Sequence, residues 1–142
     1  MRYVLCALYL ALLSSCATPM LPPTPDRYVF EVTDNIQARR FDLVLKSLDE
    51  KALCISTEDW PANNGKYPVD IDEVKLKTVT GVLPVRSNLF SAYCPAGCGR
   101  LRVDGGGVLR GFISYEAFGN PDALANDTSK ELLFAPRVDY CR

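Results

Sequence analysis

The 142-residue sequence contains no histidine, and that absence bounds its chemistry before any element is placed. Imidazole is the usual general base near neutral pH and a frequent metal ligand. Without it, neither a Ser-His-Asp nor a Cys-His nucleophilic site can be assembled. Acid-base work falls to carboxylates, with Asp59, Asp70 and Asp72 as the candidates. Two carboxyl groups facing each other across a cleft, one with a raised pKa, would suit glycan hydrolysis. The run Asp70-Ile71-Asp72-Glu73 lacks the spacing and the glycine of an EF-hand loop, so a solvated turn is expected there. No metal and no cofactor is expected.

Six cysteines are the other reactive groups. Cys6 and Cys16 lie near the N-terminus; Cys54, Cys94, Cys98 and Cys141 lie in the body of the chain. A structural zinc site usually shows two closely spaced ligand pairs, whereas Cys54 and Cys141 each stand alone. Cys94-Pro95-Ala96-Gly97-Cys98 is a CxxxC loop and departs from the CxxC spacing of thiol redox motifs.

The N-terminus explains part of this cysteine count. Met1 and Arg2 give a basic start, and Tyr3 to Leu13 form an apolar run too short to span a bilayer, which needs about 20 residues. Such a start followed by small residues describes a secretory signal. Leu13-Ser14-Ser15-Cys16 resembles the lipobox of bacterial lipoproteins, an aliphatic residue and two small ones before a cysteine. The resemblance covers residues 1–16. It implies that residues 1–15 are a signal peptide, that Cys16 receives diacylglycerol on its sulfur and becomes the first mature residue, and that its amino group is usually acylated (palmitate or a similar chain). Ala17 after the cysteine, rather than aspartate, implies an outer-membrane destination in enteric-type bacteria. Two or more acyl chains give durable anchoring. Residues 16–25 include four prolines, and about ten polyproline-type residues at about 3.1 Å each would hold a domain about 30 Å from the lipid.

With Cys6 removed and Cys16 lipidated, four cysteines remain in an exported protein, where thiols are normally oxidised. The favoured pairing is Cys94–Cys98, closing the small loop, with Cys54–Cys141 stapling the C-terminus; two other pairings stay open.

Three arginines and one tryptophan stand out as binding candidates. Asp104-Gly105-Gly106-Gly107 separates Leu101–Val103 from Val108–Tyr115, and a three-glycine hairpin would keep the apolar positions on one face. That register places Arg102 opposite Arg110, with Arg100 on the same face. Like charges directly opposite are unfavourable unless something acidic relieves them, so Arg100, Arg102 and Arg110 are a candidate contact patch for an acidic partner. A solvated face, screened by salt or by Glu116, is the plainer explanation. Trp60, before Pro61 and near Tyr67-Pro68, suits either a recognition loop or a plug at one end of the core. The glycine run is no phosphate loop, for it lacks GK[ST]. Asn126-Asp127-Thr128 matches a glycosylation sequon of a kind common by chance.

The elements that must position these groups are mostly strands. Arg27–Val32 is rich in β-branched and aromatic residues. Residues 34–51 read two ways: Phe41, Val44, Leu45 and Leu48 fit a helical face with Asp34 and Gln37 as a capping box, whereas Phe41, Leu43 and Leu45 alternate as a strand. The strand is preferred, turning at Leu48-Asp49-Glu50-Lys51 into a hairpin with Ala52–Ser56. Further strands are expected at Val74–Val79, Gly81–Val85 as an edge, Leu101–Val103, Val108–Tyr115, Leu132–Phe134 and Val138–Cys141. The fold expected for residues 26–142 is therefore mainly β, a single small antiparallel β-sandwich or barrel-like domain braced by disulfides.

A net charge of −1, one unit more negative once Arg2 is lost, gives no basic footprint for nucleic acid. The expected protein is a non-enzymatic outer-membrane lipoprotein with a periplasmic or surface domain that binds an envelope protein, as an assembly accessory or inhibitor would. The alternatives are a carboxylate-based envelope glycan hydrolase and a surface exclusion protein that blocks a receptor.

Overall fold

The computed structural model describes residues 22–69, 71–87 and 99–141. Cys16 and its lipobox, Asp70, Cys94 and Cys98 lie outside the described residues, and the expectations for them with it.

The described chain is mainly β, as expected. Strand β1 (Tyr28–Asn35) pairs antiparallel with β2 (Arg40–Ser47) across a four-residue loop. In β2, Phe41, Leu43, Leu45 and Ser47 are buried while their neighbours are not, so the alternation selects the strand over the helix. Asn35, at the start of the loop, accepts a hydrogen bond on Oδ1 from Ala38 N–H at 3.0 Å. Arg39 closes the loop with φ at 52°, the left-handed residue that four-residue hairpin loops commonly require. The last part of the expected spacer already touches the domain: Pro23 is buried, and Pro25–Arg27 form a 3₁₀ turn leading into β1.

Strand β3 (Leu53–Ser56) follows, but it does not form a hairpin with β2. Strands β4 (Lys75–Thr78) and β5 (Gly81–Pro84) are a hairpin, with β5 on the sheet edge as Pro84 suggests. Then come β6 (Arg100–Val103), β7 (Val108–Ser114), a one-and-a-half-turn helix α1 (Pro121–Asn126), β8 (Glu131–Leu133) and β9 (Asp139–Tyr140). The described strands make three three-stranded sheets, ordered β1-β2-β7, β6-β3-β9 and β5-β4-β8, with antiparallel pairing throughout. They do not close into a barrel.

Both expected hairpins are corrected in the same way. The turn at 48–51 and the glycine turn at 104–107 cross each other: Ser47 N–H donates to Gly107 O at 2.9 Å, and Gly106 N–H to Asp49 O at 3.2 Å. A β-carbon on Gly105 would stand 2.4 Å from Glu50 O, so only glycine permits this approach. On one side of the crossing β2 pairs with β7; on the other, β3 pairs with β6. The two chain segments thus form one antiparallel ribbon that bends at the crossed turns and passes from the first sheet to the second. Arg102 lies opposite Cys54 and Arg110 opposite Val44, so the two arginines do not face each other.

The core lies where the sheets converge, with Leu43, Leu45, Leu53, Ile55, Leu76 and Ile113 all fully buried. The favoured Cys54–Cys141 pairing is present, with Cα atoms 5.0 Å apart, and it fastens the C-terminal strand region to the middle strand of the second sheet.

Candidate functional site

The ribbon's bend leaves an open cleft of about 1040 Å³ between the first sheet and the loop that follows β3. Its apolar surface comes from Leu43, Trp60, Pro61, Leu101, Leu109 and Phe112. Thr57, Asn63, Arg40, Asp42 and Arg110 supply polar groups at its rim.

Each wall follows from local sequence. Trp60 is placed as a core plug, only 3% exposed, with edge-on contacts to Phe30 at 6.3 Å and a tilted contact to Phe134 at 6.4 Å. Its indole fills the space over Gly111, where a β-carbon would fall 2.6 Å from Trp60 Nε1. The ring thus serves the core and also lines the cleft. Beyond it the loop runs back along β7: Gly65, with φ at 74°, accepts a hydrogen bond from Ser114 N–H at 2.9 Å and fits against the Phe112 ring. Arg40 stacks its guanidinium 4.7 Å above the Phe112 ring and sets Nε 2.7 Å from Asp42 Oδ1. Asn35 Nδ2 donates to the other Asp42 oxygen at 2.9 Å.

Among the described residues, strand β7 has β2 on one side and no strand on the other. Alternate residues of an antiparallel strand direct their main-chain polar groups to opposite sides. Gly107 O meets Ser47 N–H on the β2 side, and Ser114 N–H meets Gly65 O on the other. Arg110 and Phe112 share the parity of Ser114, so their N–H and C=O groups face the cleft. Among the described residues, no hydrogen bond reaches them there.

The sequence candidates scatter. Arg110 lines the cleft and forms no ion pair among the described residues. Arg102 is exposed and neutralised by Asp104 at 2.8 Å, and Arg100 is exposed near the start of β6. Glu116 pairs with Lys66 at 3.2 Å and takes no part in screening the arginines. Asp72 and Glu73 sit in an exposed turn. Asp59 adjoins Trp60 in sequence but is not part of the cleft lining; burial raises its carboxyl above the ordinary carboxylate range, with Arg137 opposing the rise. Nearby, burial pushes the Tyr67 phenol far above its usual value, and its Oη has no hydrogen-bond partner among the described residues. Among the described residues no group of three or more His, Cys, Asp or Glu is placed to hold a metal ion.

Sequence reasoning missed a second polar cluster. Lys130, with a side chain only 1% exposed, places Nζ 2.8 Å from Asp34 Oδ2 and 5.2 Å from the Tyr115 ring centre. Tyr115 Oη donates to the other Asp34 oxygen, and burial together with that bond raises the phenol's pKa. These residues come from three distant parts of the chain, and no spacing rule links them. Helix α1 was also missed, although Asn120-Pro121 is a legible start signal: Asn120 Oδ1 accepts from Asp122 N–H at 2.9 Å, and Pro121 takes the first helical position.

Comparison with protein-family models, curated proteins and solved structures finds no match to this chain.

Proposed function

We propose that this chain is the precursor of an outer-membrane lipoprotein whose tethered, non-enzymatic domain binds an envelope protein in the cleft beside β7. The β1-β2-β7 and β6-β3-β9 sheets are read as the two leaves of a small sandwich, and the cleft as the mouth between them. The observation that carries the binding role is an open, largely apolar cleft against a strand edge with unused main-chain donors and acceptors. Ligand sites are commonly concave and apolar with a few placed polar groups, and sheet edges are recurrent protein-recognition elements. The anchor rests on the lipobox resemblance at Cys16.

Two experiments test the reading. A photocrosslinking residue at Asn63, on the cleft rim, should capture a specific protein in cells, whereas one at exposed Val82, on the third sheet, should not. Equal capture at both positions, or none at Asn63, would remove the binding role. Metabolic labelling with palmitate should mark the wild-type protein and not Cys16→Ser; an unlabelled wild type would remove the anchor.

The hydrolase alternative is favoured by one observation, the raised carboxyl of Asp59. It needs a second carboxylate across a cleft, but Asp42 is the one carboxylate among the described cleft residues and it is engaged by Arg40 and Asn35. Loss of glycan turnover in Asp59→Asn cells, with the fold intact, would revive it.

A further inference from the structure

We infer that the cleft takes an extended segment of the partner protein, added as a further strand to the free edge of β7, with an acidic side chain beside Arg110. This rests on the protein-binding reading above and specifies its chemistry.

Val108, Arg110 and Phe112 share one parity, and their main-chain groups point away from β2. Among the described residues, the chain's own loop uses the edge only at Ser114, through Gly65. The open stretch therefore matches a segment of about five residues, about 17 Å long at about 3.3 Å per residue. A strand laid there would alternate in step with β7. One set of its side chains would lie on the same face as Leu109 and Gly111, beside Leu101 and the edge of the Trp60 ring, and needs to be apolar. The other set would lie beside Arg110 and Phe112.

Charge decides the occupant. Arg40 is matched by Asp42 and Arg102 by Asp104, while Arg110 is exposed without an ion pair among the described residues. A second copy of this chain, pairing β7 with β7, would bring two Arg110 side chains to the same edge, an unfavourable arrangement. A carboxylate in the added strand would relieve Arg110. A charged residue on an edge also discourages indiscriminate pairing, so the same side chain would guard the edge and select its partner.

The test uses the full mature chain and capped heptapeptides of alternating valine and threonine, with glutamate or lysine at the centre. Amide hydrogen exchange is read residue by residue, together with emission from Trp60, the single tryptophan. The glutamate peptide should slow exchange of the Val108, Arg110 and Phe112 amides by about tenfold or more, because those N–H groups become bonded. It should bind about threefold to fivefold tighter than the lysine peptide, the range of one exposed charge pair, and Arg110→Glu should reverse the order. A peptide N-methylated on the residues facing β7 should lose binding.

Unprotected β7 amides at saturating peptide would overturn the inference, and so would a Trp60 emission change without protection, which would mark a site for small apolar molecules. An unaltered peptide preference in Arg110→Glu would remove the acidic component. Capture from Asn63 in cells with no strand-like protection would sink strand addition alone; no capture would sink the parent reading as well.

Discussion

The indole of Trp60 occupies the place that a side chain at residue 111 would take, since a β-carbon on Gly111 would come within 2.6 Å of Nε1. Together with the Ser114–Gly65 hydrogen bond, this contact holds the loop after β3 against β7 and so shapes one wall of the cleft. Gly111→Ala should lower stability by about 1–3 kcal/mol, the usual cost of overpacking a filled site. Trp60→Ala should cost about 3–5 kcal/mol through the cavity it leaves. Denaturant midpoints of the two variants check both values, and near-ultraviolet circular dichroism of Gly111→Ala should show the indole displaced.

The crossed turns predict a difference between adjacent glycines. Gly105→Ala places its β-carbon 2.4 Å from Glu50 O, a main-chain atom that cannot swing aside. Gly106, with φ at 70°, has open space around it, so Gly106→Ala incurs mainly the left-handed backbone penalty, about 1 kcal/mol. Thermal melts should rank Gly105→Ala as the more damaging. A simple hairpin would give the reverse order.

Cys54 and Cys141 are 87 positions apart, so their bond closes a long loop in the unfolded chain. Replacing both with alanine should cost about 4–5 kcal/mol by the chain-entropy model. Denaturant unfolding of the double variant beside wild type checks the value.

Lys130 and Asp34 form an ion pair with one member almost fully enclosed and the other one-third exposed. Removing one partner of a fully buried pair costs about 3–5 kcal/mol, and the exposure of Asp34 reduces this to about 2 kcal/mol for Lys130→Met. Tyr115→Phe should cost about 1 kcal/mol for its lost hydrogen bond. The two losses should be less than additive in the double variant, because both residues act on the same carboxylate.

Two carboxyls give opposite pH signatures. The Lys51 N–H and the Tyr140 hydroxyl donate to Asp49 and hold its pKa below the ordinary 3.8. Its native form binds a proton less readily than its unfolded form, so its contribution is full above the ordinary value and is lost as pH falls through the lowered one. Asp59 is raised by burial, so its contribution is full below the ordinary value and is lost as pH rises through the raised one. At neutral pH, Asp49→Asn should therefore melt lower than wild type and Asp59→Asn higher, with both differences shrinking in acid.

The strands were legible because burial alternates with the pleat, as Phe41, Leu43 and Leu45 show. The Cys54–Cys141 bond was legible because four cysteines expected in the mature domain allow only three pairings, of which the favoured one contains it. Strand partners were less so. A glycine turn between two apolar runs has the same local sequence whether it closes a hairpin or turns a corner, and the choice here depends on Glu50, far away in the chain. The cleft was half visible: Trp60 and Arg110 stood out singly, but Gly111, which brings the tryptophan to β7, carries no side chain to advertise the contact. The Lys130–Asp34–Tyr115 cluster had no sequence signature, since long-range folding alone assembles it.

The cysteine bond belongs to β3 and the C-terminal strand region, outside the β1-β2-β7 sheet. If the proposed anchor and partner both hold, a pull between the N-terminus and β7 would run through β1, β2 and β7. It would load eight residue pairs and then seven, all non-covalent, and leave the cross-linked sheet slack. Strand β1 would be the first to yield, being held by hydrogen bonds and packing alone, whereas β3 and the C-terminal strand region would part only on breaking a covalent bond.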